Sequence, residues 1–361
     1  MSTSKEYPFD LGVVVGKFYP FHAGHKYLIE TASSQCAKLV IIIPYHQDDD
    51  IPGLLRTSWI KATFPEKKYI IIPVDQDTEN LPDTSSQAWA EYTVKLLGRA
   101  PDVVFTSELY GNEWSRLMGS QRILVDLERK IIPISGTLIR SNPLEYLQYL
   151  DPIVRGFFVK RICILGGEST GKTTLSKALS RALNTIYVPE YGHNYMTFRK
   201  EDNDIWRSEE FNIIAHTQAW MEDYLATMAN KVIIVDTDAY VTSVFHYEYM
   251  GTENKELEEF ASSRPIYDLY IVPDIATPFH QDHLDSRSEE RRIRMHNTYL
   301  KHIESIGGRV LHVSGTTEER VEASITLIAQ ILKEPKVVSR EIFTESYLAN
   351  QVLNLNIVEG I

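Results

Sequence analysis

Nine short apolar runs, rich in β-branched residues, recur along the chain and are separated by longer segments with helical periodicity. They are LGVVVG, KLVIIIPY, YIIIPV, DVVFTS, KIIPIS, RICILGG, KVIIVD, LYIVPD and RVLHVS. Strands that alternate with helices in this way form parallel sheets covered by helices, so the sequence predicts an α/β fold. Because the pattern restarts at Arg161, we expect two doubly wound parallel-sheet domains, over residues 1–150 and 151–335, and a tail of unassigned role at 336–361.

Composition narrows the class of protein. Acidic residues outnumber basic ones by 49 to 37, and the resulting net charge of −12 repels a nucleic-acid backbone. The start, MSTSKEYPFD, lacks the regions of a signal peptide, and the longest apolar run, LVIII, is too short to cross a bilayer. We therefore expect a cytoplasmic protein that binds neither nucleic acid nor membrane, with Cys36 and Cys163 as reduced core residues. A homo-oligomer is compatible with this composition, although no motif specifies one.

The segment RICILGGESTGKTTLSKALSRAL predicts a buried strand, a glycine-rich turn and a helix that begins near Lys172. Gly166, four further residues and then Gly171-Lys172-Thr173 form a P-loop pattern, in which backbone N–H groups and a helix N-terminus surround phosphates. Lys172 is expected to reach the β- and γ-phosphates of ATP, and the Thr173 hydroxyl to bind Mg²⁺. The residues predicted to bind ATP here are Gly166, Glu168, Ser169, Gly171, Thr173 and Thr174.

The run KVIIVDTDAY ends a buried strand in two aspartates. In P-loop enzymes a carboxylate at this position holds Mg²⁺ directly or through water, and either aspartate could be the closer ligand. We assign Asp236 to the metal and Asp238 to catalysis. The alternative is a cap on the following helix, a role in which aspartate is common, and both roles can hold together.

Two further features of this half point to phosphoryl transfer. Glu190 follows the strand-like run TIYVP, at the sheet edge where ligands bind, and is predicted to be a general base toward an acceptor hydroxyl. A solvated loop glutamate is the alternative. The run DSRSEERRIRMH contains four arginines, of which Arg287 and Arg291 are assigned to ATP as part of a mobile lid that neutralises developing charge. A solvated helix with ion pairs would have a similar pattern.

The segment LGVVVGKFYPFHAGHKYLIETA predicts a buried strand, a turn and a helix that starts around Ala23. His22 and His25 flank Gly24 at the positive end of this helix, where imidazoles and free backbone donors suit an anionic phosphate chain. A lone histidine would more often be a cap or a core residue, but two at this spacing favour a phosphate site. The residues of the same turn assigned to the site are Gly16, Lys17 and Phe18.

The segment KIIPISGTLIRSNP predicts a strand followed by a helix start at Ser135 and Thr137, with Arg140 in the first turn. In such an arrangement the hydroxyl groups and the guanidinium group can bind the same phosphate. Simple capping by Ser135 or Thr137 is the alternative. An arginine in a first helical turn opposes the helix dipole, however, and an anionic ligand would explain it.

Taken together, GKFYPFHAGH and ISGTLIR resemble the nucleotidyltransferase superfamily with the HxGH and ISSTxxR signatures. The further segments FTSELYG (105–111), GGESTGKTT (166–174) and DTD (236–238) make the chain similar to the NadR-type bifunctional enzymes of NAD biosynthesis over about residues 11–330. The resemblance implies a Rossmann-like HxGH nucleotidyltransferase followed by a P-loop kinase. The first would transfer an adenylyl group from ATP to nicotinamide mononucleotide (NMN), and the second would phosphorylate nicotinamide riboside, with Mg²⁺ as cofactor.

The resemblance also implies residue roles. The first domain would align two anions without a covalent intermediate. Trp89 is expected to stack on the nicotinamide ring, with burial against a helix as the alternative, and Tyr110 is expected to bind substrate. Asp77 and Asp83 could contact the ligand from the loop before Trp89. The residues expected to donate to the two anions are Lys17, His22, His25 and Arg140.

The chain departs from its apparent relatives at several points. Some members carry an N-terminal helix-turn-helix domain, whereas about ten residues precede the first predicted strand here, so we expect no DNA-binding domain. His193 stands where many relatives have an arginine, and Gly136 stands where the wider superfamily often has serine. Two alternatives stay open: a nucleotide sensor with degenerate sites, and the same folds acting on a different phosphomonoester and nucleoside.

Overall fold

The computed structural model describes residues 7–109, 111–199, 205–275 and 289–335. The chain divides between Val154 and Arg155 into two compact units, each built on a five-stranded parallel sheet. The tail predicted at 336–361 lies outside the described residues. Among the helices of the described ranges, none is long and apolar enough to cross a membrane.

The first unit contains five strands and its own set of helices. The strands are β1 (Phe9–Val15), β2 (Cys36–Tyr45), β3 (Tyr69–Asp75), β4 (Val103–Thr106) and β5 (Gln121–Leu124). The helices are α1 (Ala23–Ser33), α2 (Gly53–Thr63), α3 (Gln76–Glu79), α4 (Ser86–Leu97), α5 (Gly111–Met118) and α6 (Gly136–Ser141), followed by 3₁₀ turns at Pro143–Glu145 and Leu147–Tyr149. The division between the units falls within α7 (Pro152–Phe158).

The sheet order in this unit is β3-β2-β1-β4-β5, with all neighbours parallel. The chain therefore runs from β1 to one edge and then returns to the other side, which confirms the predicted doubly wound arrangement. Sheets of this kind bind ligands at the carboxyl ends of their strands, where the order reverses, and that point lies between β1 and β4.

The predicted strand at 130–135 is wrong. The last strand of this sheet is β5, a short and partly exposed edge strand whose residues QRIL gave little apolar signal. The backbone N–H groups of Lys130, Ile131 and Ile132 instead donate to the carboxylate of Asp126 at 2.9, 3.1 and 3.0 Å. Donors that point to one carboxylate cannot form a β-ladder, so this apolar run is a loop.

The core of the first unit confirms that its central strands are buried on both faces. Five consecutive residues of β2, Leu39 to Ile43, are each at most 1% exposed. Cys36 at the start of β2 is also buried and unpaired, as is Cys163 in the second unit, so both behave as the core residues that the sequence predicts.

The second unit is also built on a five-stranded parallel sheet, but with a different strand order. Its strands are β6 (Lys160–Ile164), β7 (Tyr187–Val188), β8 (Val232–Asp236), β9 (Leu269–Pro273) and β10 (Val310–Val313). Its helices are α8 (Lys172–Ala182), α9 (Tyr191–Phe198), α10 (Ser208–Ala226), α11 (Ala239–Met250), α12 (Lys255–Ser262), α13 (Glu289–Ser305) and α14 (Thr317–Ile331). The sheet order β10-β9-β6-β8-β7 places β6 in the middle, so the turn after β6 lies at the reversal point.

Candidate active sites

A cavity of about 810 Å³ opens at the carboxyl ends of the strands in the first unit. It brings together the motif residues and Trp89 that the sequence predicts for this half, whereas Asp77 does not line it and Tyr110 lies outside the described residues. These residues are Gly16, Lys17, Phe18, His22, Gly24, His25, Trp89, Ser135, Thr137 and Arg140. The cavity wall also contains Arg129, which no motif singled out.

The two histidines meet at the start of α1. His22 is the N-cap residue, its Nδ1 accepts from the Gly24 N–H at 3.1 Å, and its ring stacks on that of His25 at a centroid distance of 3.7 Å. Burial lowers the pKa of His22 to about 4 and that of His25 well below its usual range, and nearby Arg129 lowers both further. Both rings are therefore neutral at pH 7. Because Nδ1 of His22 is an acceptor, its Nε2–H is the donor available to a ligand.

Phe18 packs against the His25 ring of this pair. Its side chain is 1% exposed, and its ring meets His25 edge to face at 5.0 Å. A Cβ on Gly16 would lie 3.1 Å from the Phe18 ring, so glycine at that position allows the close approach. Phe18 therefore orients an imidazole in addition to lining the cavity.

Helix α6 forms the opposite wall, with Ser135 as its N-cap. The Ser135 hydroxyl accepts from the Leu138 N–H at 3.2 Å, so the capping role holds. Arg140 lies in the last turn of this six-residue helix, and the predicted first-turn position, with its argument from the dipole, is wrong. Its guanidinium is instead held by the carbonyl oxygen of Tyr19 and by the Thr137 hydroxyl at 3.3 Å.

Lys17 reaches the mouth of the cavity, where its ammonium contacts Asp83 at 2.9 Å. Asp83 also accepts from Gln76, and the Lys17 contact is the main reason that its pKa falls to about 2. Asp83 lines the cavity, whereas Asp77 pairs with His46 at 2.8 Å and does not.

Trp89 faces the same cavity from α4. Its indole N–H donates to the carbonyl oxygen of Pro82 at 3.0 Å, and its ring meets that of Tyr92 at 6.0 Å. The half-buried ring thus packs on its own helix and still presents surface to the cavity.

A second cavity, of about 440 Å³, lies at the carboxyl ends of the strands in the second unit. The predicted residues that line it are Glu168, Ser169, Gly171, Lys172, Thr173, Thr174, Glu190 and Asp238, together with His193. Helix α8 begins at Lys172 as predicted, after Gly171 in the left-handed region at φ 86°. The Lys172 ammonium donates to the Gly167 carbonyl oxygen at 3.0 Å, inside the loop that Gly166 opens.

Side chains that are distant in sequence donate hydrogen bonds to backbone carbonyl oxygens of this loop. Arg292 of α13 is 2% exposed and donates to the Glu168 carbonyl oxygen at 2.8 Å, so it supports the loop and does not face a phosphate. Arg320 of α14 donates to the Thr170 carbonyl oxygen at 2.8 Å. Arg291 contacts Glu168 at 3.3 Å and Glu248 at 3.0 Å and does not itself line the cavity. Arg287 lies outside the described residues.

The Thr173 hydroxyl and Asp236 form the part of this site that fits a metal ion. Asp236 is fully buried, and its Oδ1 has no hydrogen-bond partner among the described residues. Burial raises the pKa of Asp236, although Lys172 and Thr173 oppose that rise. An orphaned carboxylate oxygen beside a hydroxyl matches the oxygen ligands that Mg²⁺ prefers. Asp238 instead caps α11 by accepting from the Val241 N–H at 3.1 Å, so Asp236 is the one beside Thr173.

Glu190 stands just before α9, half-buried in the wall of the second cavity. Burial raises its pKa to about 7, while Lys172 opposes the rise and Asp236 adds to it. Gln218 of α10 accepts from the Tyr191 N–H at 2.8 Å and donates to the Thr237 carbonyl oxygen at 3.3 Å. Gln218 therefore ties the loop that carries Glu190 to the turn that follows Asp236, a link that no local sequence pattern indicates.

Comparisons with known proteins agree with this geometry. A family model described as an AAA domain matches residues 161–320. The trifunctional NAD biosynthesis/regulator protein NadR of Escherichia coli (strain K12) is 34% identical over 297 residues, which cover 76% of this chain and 72% of that protein. A nicotinamide-nucleotide adenylyltransferase of Thermococcus kodakarensis is 32% identical over 194 residues, covering 50% of this chain and 98% of that protein.

The fold has a counterpart among solved structures as well. A crystal structure of a NadR protein in complex with NAD and AMP-PNP superposes with a TM-score of 0.72 at 21% identity, covering 92% of this chain and 98% of that one. This likeness concerns the fold, while the sequence match to the E. coli protein extends over more than two thirds of that relative. The chain belongs to the NadR family.

Proposed function

We propose that this chain makes NAD in two steps, phosphorylating nicotinamide riboside to NMN in the second unit and adenylylating NMN in the first. The observation that carries the proposal is the presence on one chain of two cavities, one lined by a histidine pair at a helix start and one lined by a P-loop. The relatives named as NAD biosynthesis protein and as nicotinamide-nucleotide adenylyltransferase support the choice of substrates.

In the kinase step the 5′-hydroxyl oxygen of the riboside forms a bond to the γ-phosphorus of ATP, and the bond from that phosphorus to the β–γ bridging oxygen breaks to release ADP. Glu190 accepts the hydroxyl proton, since its raised pKa suits a base near neutral pH. Lys172 supplies charge to the transferred group, with Arg287 and Arg291 proposed to assist. Mg²⁺, when bound by Thr173 and Asp236, would add positive charge at the phosphate oxygens.

In the adenylyl step a phosphate oxygen of NMN bonds to the α-phosphorus of a second ATP, and pyrophosphate leaves. No protein nucleophile is required, so the residues align two anions and reduce their repulsion. His22 and His25 act as neutral donors, and Lys17 and Arg140 supply positive charge. Trp89 is proposed to stack on the nicotinamide ring, and Tyr110 stays a predicted substrate contact.

The test is one incubation of the purified chain with Mg²⁺, ATP and nicotinamide riboside, in which NMN, ADP, NAD and pyrophosphate are separated by chromatography. We expect NMN with ADP first, then NAD with pyrophosphate. Nucleotide binding without turnover would identify a sensor and refute the proposal. Product formation only from other nucleosides or phosphomonoesters, tested as a panel by kcat/KM, would keep the reaction classes and change the substrates.

A further inference from the structure

The loop that follows β5, residues 126–132, has an unusual backbone. Asp126 and Arg129 both adopt left-handed conformations, at φ 46° and φ 50°, although neither is glycine. Such conformations cost free energy in residues with a Cβ and persist only where the surrounding structure enforces them. A short loop with two of them at the rim of a cavity indicates that the position of a side chain matters there.

The carboxylate of Asp126 enforces this conformation. It accepts three backbone N–H groups, from Lys130, Ile131 and Ile132, and the Arg129 N–H donates to the Asp126 carbonyl oxygen at 2.9 Å. The loop therefore closes on itself around one side chain. Arg129 lies at the centre of this closed turn, so its Cα position is set by bonds that do not involve its own guanidinium.

The loop packs against the turn that carries the histidine pair. A Cβ placed on Gly24 would lie 3.8 Å from Cγ2 of Ile132, so the two segments are in near contact. Arg129 lines the first cavity together with His22 and His25. Its ion pair with Glu108 is long, at 3.6 Å, and both side chains are about half exposed, so this pair holds the guanidinium weakly.

The two other cations assigned to this cavity lie closer to their partners, although the Lys17 pair is as exposed as that of Arg129. Lys17 is paired with Asp83 at 2.9 Å, and the guanidinium of Arg140 is bound by the Tyr19 carbonyl oxygen. The effect of Arg129 on the pKa values of His22 and His25 agrees with a guanidinium close to both rings. A cation that is close to the histidines and weakly paired is the one best able to turn toward an incoming anion.

We propose that Arg129 is a catalytic residue of adenylyl transfer, whose guanidinium contacts phosphate oxygens of the nucleotide bound at the histidine pair. The proposal rests on the function proposed for the first unit. It adds a source of positive charge that the sequence motifs do not contain, and it gives the strained loop a purpose, because a fixed backbone places a fork of N–H donors within reach of the phosphate oxygens on which charge develops during adenylyl transfer.

The experiment compares full-length Arg129→Ala and Arg129→Lys with Lys130→Ala, a neighbour in the same loop whose side chain is 78% exposed. NAD formation from NMN and ATP is measured under steady state, and riboside phosphorylation by the same preparation reports the integrity of the other unit. We expect Arg129→Ala to lose about 10²-fold or more in kcat/KM and Arg129→Lys to lose less. Lys130→Ala should stay within about twofold of the parent, as surface changes usually do. Added guanidinium ion at low millimolar concentration should restore part of the activity of Arg129→Ala.

The outcomes distinguish a failure of this proposal from a failure of the function proposed for the first unit. If the parent chain forms no NAD from NMN, the function proposed for the first unit fails, and this proposal fails with it. If the parent is active and Arg129→Ala keeps its activity within a few fold, only the role of Arg129 is refuted. An inactive Arg129→Ala that guanidinium does not rescue, with Arg129→Lys equally inactive and a lowered melting temperature, would assign Arg129 to the fold and would also overturn the proposal.

Discussion

The hydroxyl of Thr173 donates a hydrogen bond of 2.6 Å to Oδ2 of Asp236, joining the first turn of α8 to the end of β8. The other carboxylate oxygen of Asp236 is buried and has no partner among the described residues. A buried carboxylate with one unsatisfied oxygen is costly unless a cation completes its coordination. The pair thus favours Asp236 over Asp238 as the proposed Mg²⁺ ligand of the second unit.

Replacement of this carboxylate should abolish the kinase step alone. We expect Asp236→Asn to lower kcat for riboside phosphorylation by about 10²-fold or more, because an amide lacks the charge that holds Mg²⁺. NAD formation from NMN should be unchanged. Glu334→Gln, which alters an exposed ion pair with Arg309, serves as the control. Full kinase activity of Asp236→Asn across a Mg²⁺ titration would exclude Asp236 as a ligand.

The two activities should be separable by single substitutions. Lys172→Ala should eliminate phosphorylation of the riboside, because the charge at the transferred phosphoryl group is lost, and should leave adenylylation of NMN intact. His25→Ala should do the reverse. Both rates are measured on each purified variant, with circular dichroism to check folding. A folded variant of either kind that loses both activities would refute the two-site arrangement.

The motif residues were predictable because their chemistry is local. A P-loop requires glycine at the left-handed position that Gly171 occupies and a helix start at the next residue, and both requirements can be read from consecutive residues. The alternation of apolar strands with helical segments likewise specified two parallel sheets. Errors arose where side chains compete with the backbone, as when Asp126 captures the donors of the run after it.

The supports of both sites could not be predicted, since they come from distant parts of the chain. Arg320 reaches Thr170 across 150 positions, and Gln218 reaches Tyr191 across 27. An arginine or a glutamine on an amphipathic helix gives no sign that its end group will meet a carbonyl or an N–H of a loop elsewhere. Arg292 is a further example. The sequence predicts an arginine side chain that faces solvent or phosphate, whereas this side chain is buried in the structure.

The kinase step should lose activity on the acid side of neutrality. Glu190 must be ionised to accept a proton, and its pKa of about 7 means that kcat/KM should fall roughly tenfold per pH unit below that value. The ordinary pKa of a glutamate is 4.5, which we take for the unfolded chain. At pH values between this pKa and that of the folded protein, the folded protein binds more protons than the unfolded chain. The free energy of unfolding therefore falls as pH rises through this range. Glu190→Gln should therefore be inactive as a kinase yet melt higher than the parent at pH 8. An acid limb below pH 5, or an active Glu190→Gln, would contradict the assignment.

Glycine at position 136 is required by the backbone of Tyr19. A Cβ on Gly136 would clash with the Tyr19 carbonyl oxygen, which is also the acceptor for Arg140. We expect Gly136→Ser to displace that carbonyl and to lower kcat/KM for NAD formation by about tenfold or more, since misplacement of a positioning group by about 1 Å can cost 10²-fold. Kinase activity in the same preparation is the internal control. Parental rates of NAD formation in Gly136→Ser would contradict this prediction, because they would show that the backbone at Tyr19 moves to accommodate the serine side chain.

The last prediction concerns Gln218, the side chain that links the loop of Glu190 to Thr237. Gln218 is 3% exposed, so Gln218→Leu would remove the partner of the half-buried Tyr191 N–H and of the buried Thr237 carbonyl oxygen, at about 1–3 kcal/mol for the buried group. We expect a lower melting temperature and, because the loop that carries the proposed base Glu190 is no longer fixed, a fall of about tenfold in kcat with little change in KM for ATP. Gln330→Leu, on an exposed part of α14, is the matched control. If the acid limb of the kinase pH profile also moves in Gln218→Leu, the link sets the surroundings of Glu190. A destabilised variant with an unaltered kcat and pH profile would mean that Gln218 serves the fold alone.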